Sequence, residues 1–88
     1  MVKILLIDDE EDVLNTISMV LKTMGCHVVQ ARDGEEGISR FEELSFDIVI
    51  TDLIMPNYNG NDVARYIRNA RDNIKIIGIT GTPEKAEA

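Results

Sequence analysis

The chain has 88 residues, 44% of them hydrophobic, and sixteen Asp and Glu against nine Lys and Arg leave a formal charge of −7. That length suits a single domain, residues 1–88, burying about two-thirds of its unfolded surface, and the apolar content is too high for a disordered chain. The acidic surplus has the wrong sign for gripping a nucleic-acid backbone, and the single cysteine, Cys26, rules out an intramolecular disulfide.

Residues 2–7, Val-Lys-Ile-Leu-Leu-Ile, form a branched apolar run that predicts a strand buried on both faces of a parallel sheet. From Glu11 to Met24 the positions Val13, Leu14, Ile17, Val20, Leu21 and Met24 recur at helical spacing. Glu10, Glu11 and Asp12 suit the positive end of that helix, and Gly25 stands where a left-handed cap would close it. Cys26 to Ala31 predicts a second strand, and after the turn dipeptide Asp33-Gly34 the spacing of Ile38, Phe41 and Leu44 predicts a second helix.

Asp47 to Asp52 reads as a third strand, followed by Pro56 and a loop from Asn57 to Gly60. Val63, Ala64 and Ile67 mark a third helix that frays near Asn69 to Asn73, and Ile74 to Thr80 reads as a fourth strand. Thr82 as a cap and Pro83 as a first helical residue announce a fourth helix with few residues left to it. No long apolar span or signal peptide is visible, which predicts a soluble cytoplasmic protein without membrane contact.

Strands alternating with helices predict right-handed parallel crossovers, helices on both faces, and a ligand site at the carboxyl ends of the strands. That edge would collect Asp8 and Asp9 from the first strand, Asp52 from the third and Thr80 from the fourth. Clustered carboxylates repel one another, and a hard divalent cation relieves them; these donors suit magnesium, whereas zinc would want thiolates or imidazoles. Asp8 and Asp9 would support the metal, Asp52 could act as a nucleophile toward phosphorus, and the Thr80 hydroxyl could bond to the arriving phosphoryl group. Cys26 and His27 begin the second strand at its opposite end, Met19 and Met24 lie on or beside the first helix's apolar stripe, and Met55, Pro56 and Gly60 shape a loop, Gly60 by permitting an unusual turn.

The opening KILLIDDE, the stretch DIVITDLIMPNYNG and the segment IKIIGITG resemble the receiver domain of bacterial two-component response regulators. The spacing Asp-x-x-Met-Pro-x-x-x-Gly from Asp52 to Gly60 is the specific part of that resemblance. It implies a flavodoxin-like α/β fold with a doubly wound parallel sheet, strand order 2-1-3-4. It implies a phosphoacceptor rather than an enzyme, with Asp52 accepting a phosphoryl group from a histidine kinase, a phosphotransfer protein or a small phosphodonor. Magnesium would be held by Asp9, Asp52 and the backbone carbonyl of Ile54, and by Asp8 largely through water, with Thr80 as the switch hydroxyl.

Members of that family continue through a fourth helix, a fifth strand ending in a lysine, and a fifth helix, none of which fits within 88 residues beyond a first helical turn; Lys85 does not match the lysine position. The expectation is therefore a receiver shortened after its fourth strand, with Ile74, Ile76, Ile77 and Ile79 on an uncovered edge that would pair with a second copy. An oligomerising assembly module without a competent switch is the alternative reading. A magnesium-dependent phosphatase fits less well, because its two acids would share one strand end as Asp-x-Asp and a substrate cap would need room.

Overall fold

The computed structural model describes residues 1–55 and 59–79. The elements run β1 (Lys3–Ile7), α1 (Glu11–Thr23), β2 (His27–Ala31), α2 (Gly34–Glu43), β3 (Ile48–Asp52), α3 (Gly60–Ala70) and β4 (Lys75–Ile79). All strand pairs are parallel, and the sheet order is β2-β1-β3-β4, as the sequence predicts. Thr80 and Pro56, together with Thr82, Pro83 and Lys85, lie outside the described residues.

β1 is one of the two interior strands, and its alternating side chains feed two separate apolar layers. Leu5 and Ile7 pack with Val49, Phe41, Val63 and Ile67, which places α2 and α3 on one face of the sheet. Ile4 and Leu6 pack with Leu14 and Ile50, which places α1 on the other. Each fully buried Leu or Ile contributes about 1.5–3 kcal/mol relative to exposure, so a strand apolar on both faces anchors the whole sheet.

α1 is rotated relative to the sequence expectation. Leu14 and Ser18 are its buried residues, whereas Met19, Val20 and Met24 are exposed, Met24 by 71%. The polar Ser18 can point inward because Gln30 of β2 donates to its hydroxyl at 2.7 Å and to the Leu14 carbonyl at 3.3 Å, a satisfied pair that turns this face of the helix toward β2. The helix ends as expected: Gly25 has φ of 89°, its N–H donates to the Lys22 carbonyl at 3.0 Å, and the Cys26 N–H donates to Leu21 at 3.1 Å. That is a Schellman closure, which a residue with a Cβ would enter only under strain.

Asp33 caps α2 by accepting from the Glu36 N–H at 2.7 Å, while the Glu36 carboxylate accepts from the Arg32 N–H at 2.7 Å. Leu44 is the C-cap of α2 and exposed, not part of its buried stripe. α3 ends at Ala70, within the expected fraying stretch of Asn69 to Asn73, and closes when the Arg71 N–H donates to the Ile67 carbonyl. β4 begins one residue later than predicted. Ile74 is buried in the α2/α3 layer, and its carbonyl accepts from Arg68, so it does not belong to the exposed edge. Ile76 and Ile79 are half-buried and Ile77 is 38% exposed, and among the described residues β4 ends the sheet.

Candidate functional site

The acids meet because β1 and β3 are parallel neighbours in a defined register. Ile7 pairs with Thr51, so the residues that follow, Asp8 and Asp52, stand side by side at the sheet's carboxyl edge. Asp9 completes the group: one carboxylate oxygen from each of Asp8, Asp9 and Asp52 lies within 4.8 Å of the other two. Asp8 and Asp52 are only 3% and 5% exposed, whereas Asp9 is open to solvent.

Both buried carboxylates are aimed by the same local device. Asp8 Oδ1 accepts from the Glu10 N–H at 2.9 Å, and Asp52 Oδ1 accepts from the Ile54 N–H at 3.1 Å. Each is an Asx-type bond to the N–H two residues on, which fixes the side chain's direction. Burial pushes the Asp8 carboxyl up from 3.8 to about 6; the Glu10 N–H opposes the rise, and the charges of Asp52, Asp9 and Glu10 add to it. Asp52 is also raised, first by burial, against the Ile54 N–H, and with the neighbouring Asp9 and Glu10 adding to the rise. Carboxylates held away from water and beside one another favour a proton or a cation.

The oxygen-only donor set fits a hard divalent cation. Ligands at opposite corners of an octahedral magnesium ion stand about 4.2 Å apart, so oxygens already within 4.8 Å need only small side-chain rotations to share one. Ile54 follows the cluster directly, with its N–H committed to Asp52 and its main chain bridged to Asn59. Cys26 and His27 sit at the amino end of β2, with His27 paired to Lys3, away from the acids.

Gly60 has a role that the sequence does not reveal. Gly25 is the only positive-φ glycine among the described residues, so Gly60 does not use glycine's access to positive φ. What Gly60 provides is proximity: a Cβ there would lie 2.1 Å from the Asp52 carbonyl oxygen and 2.6 Å from the Leu53 Cα. Both are backbone atoms, so the first residue of α3 can close on the end of β3 only without a side chain. Asn59 caps that helix through its Oδ1, which accepts from the Asn61 N–H at 2.7 Å.

The sequence model of the response regulator receiver domain matches residues 4–88. The CAI-1 autoinducer sensor kinase/phosphatase CqsS of Vibrio cholerae is 39% identical over 82 residues, covering 90% of this chain and 12% of that protein. Other curated relatives are matched over about a third of their length, as with 36% for the Caulobacter regulator CtrA. Among solved structures, the response regulator TrrA of Thermotoga maritima, in complex with Mg(2+)-BeF, superposes with a TM-score of 0.91 at 32% identity, covering 99% of this chain and 76% of that one. A chain from the complex of histidine kinase ThkA with TrrA superposes with a TM-score of 0.86 at 34% identity, covering 92% of this chain and 70% of that one.

Proposed function

Because the chain belongs to the response regulator receiver domain family, we propose that it is a cytoplasmic phosphoacceptor module, not an enzyme, that takes a phosphoryl group on Asp52. The donor is the phosphohistidine of a histidine kinase or phosphotransfer protein, or a small phosphodonor. With Oδ1 bonded to the Ile54 N–H, Asp52 Oδ2 is the oxygen that attacks in this reading. The new bond is an acyl phosphate O–P bond; the P–N bond to the donor breaks, its electron pair stays on the imidazole nitrogen, and that nitrogen takes up a proton.

In this reading Asp9, Asp52 and the Ile54 carbonyl hold a magnesium ion, with Asp8 acting through water, and the ion supplies positive charge against the phosphoryl oxygens. Thr80 is the switch hydroxyl. The observation that carries the reading is the convergence of Asp8, Asp9 and Asp52 in a chain of this family. Incubation with magnesium and phosphoramidate, followed by intact-mass measurement, should show one added phosphoryl group that Asp52→Asn abolishes. An unmodified wild-type mass would refute it.

The exposure of Ile77 on β4, the outermost strand among the described residues on that side of the sheet, favours a second reading, an assembly module whose β4 pairs with a second copy. Light scattering should then give a dimer mass that Ile77→Lys returns to monomer, and a wild-type monomer at high concentration would count against it.

A further inference from the structure

Leu53, the residue between Asp52 and Ile54, is gripped from three directions. Its N–H donates to the Ile79 carbonyl at 2.9 Å, and its carbonyl accepts from the Gly60 N–H at 3.1 Å. Its side chain lies across β4 over Gly78. A Cβ built at Gly78 would stand 2.7 Å from Leu53 Cδ2, 3.1 Å from Cγ and 3.3 Å from Cδ1. The φ of Gly78 is not positive, so its backbone conformation does not call for glycine. Glycine inside a strand weakens it and marks a close approach, and the group approaching here is Leu53.

We propose that Leu53, seated on the bare Cα of Gly78, is a positioning residue for the Asp52 site. Rotation about χ2 of Leu53 moves the two Cδ atoms but leaves Cγ in place, so a side chain at residue 78 forces χ1 or the main chain to move. The main chain is tied to Ile79 on one side and to Gly60 on the other. Where that movement reaches the main chain of Leu53, it carries its neighbours with it: Asp52, with its carboxylate, and Ile54, whose N–H aims that carboxylate. If β4 yields instead, the Leu53–Ile79 bond opens beside Asp52, since Ile79 is the register partner of Asp52. Either way the seat on β4 sets the direction in which the acceptor leaves the sheet.

This inference rests on the phosphoacceptor reading for the meaning of the site, and its test reads magnesium binding. Calorimetric titration with magnesium chloride would compare the wild type with Gly78→Ala, Leu53→Ala and the double variant, alongside thermal melts in EDTA. Gly78→Ala should weaken magnesium binding about tenfold, the low end for groups that orient metal ligands from behind, while still melting cooperatively. Leu53→Ala should weaken it comparably, and the double variant should be no worse than Leu53→Ala, because the added methyl then has nothing to strike. Unchanged affinity in Gly78→Ala, or losses that multiply in the double variant, would overturn the inference. A wild type that binds magnesium while Gly78→Ala keeps its affinity sinks the seat alone; a wild type that binds none sinks the magnesium reading as well.

Discussion

Replacing Asp8 by Asn should stabilise the metal-free protein at neutral pH. The folded protein holds the Asp8 carboxyl at about 6 against an ordinary 3.8. The folded state therefore binds more protons than the unfolded state between those values, and stability falls as pH rises through that window. At about 1.4 kcal/mol for each pH unit, the contribution is about 3 kcal/mol, a stabilisation fully present below pH 3.8 and fully lost above about 6. Asn keeps an oxygen for the Glu10 N–H while removing the buried charge. Its amide NH2 then needs a partner at a position only 3% exposed, which takes back part of the gain.

The net expectation is about 2 kcal/mol in favour of Asp8→Asn at pH 7.5, on the order of 10 °C in Tm for a domain of this size. Urea denaturation in EDTA at a series of pH values from 4 to 8 is the assay. The variants should converge near pH 4 and separate as pH rises through 6. Some slope should persist in Asp8→Asn, because Asp52 is raised too. Magnesium should narrow the gap, since a cation that binds only the folded wild type adds stability by mass action. A variant no more stable than wild type at pH 7.5, or an unchanged slope between pH 4 and 6, would refute the reasoning.

Magnesium affinity should fall as pH drops through about 6, because the ion competes with the proton on Asp8; titrations at pH 5 and 8 check this. Gly60→Ala should cost about 3 kcal/mol or more, since its Cβ would meet the Asp52 carbonyl oxygen, a backbone atom that cannot swing aside. Urea midpoints measure that loss. Asp33→Ala should cost about 1 kcal/mol by freeing the Glu36 N–H at the start of α2, read from the same curves, while Asp33→Asn should recover most of it.

The parallel sheet and its acidic edge were legible because both rest on local patterns. Apolar runs ending in acid give the strands, and a common strand direction puts Asp8 and Asp52 at one edge whatever the details of packing. The rotation of α1 was not legible. Periodicity offers Val20 and Met24 for burial, but the Ser18–Gln30 bond spans two elements and turns the helix another way. Leu44 fits a three-residue spacing only until its backbone leaves the helix at φ −127° and ψ 164°. Gly60 and Gly78 show the limit most clearly: at each an added Cβ would meet an atom from another segment, and nothing in the neighbouring sequence names that atom.

The same packing explains why the edge can hold carboxylates that water would otherwise keep. Ile7 and Thr51, directly beneath Asp8 and Asp52, are fully buried, so the strands cannot slide to lift the acids into solvent without dislodging the core on both faces. A one-residue slip would also exchange the two apolar layers, because strand side chains alternate faces. The register is therefore enforced by Leu5, Leu6, Ile7 and Val49, residues with no chemistry of their own. Stability and site thus oppose each other at one place. The core holds Asp8 and Asp52 where their charges are costly, and carboxylates held that way favour a proton or a cation. Mutations that relieve the strain at Asp8 should accordingly raise stability and lower magnesium affinity together, whereas mutations at Gly60 should lower both.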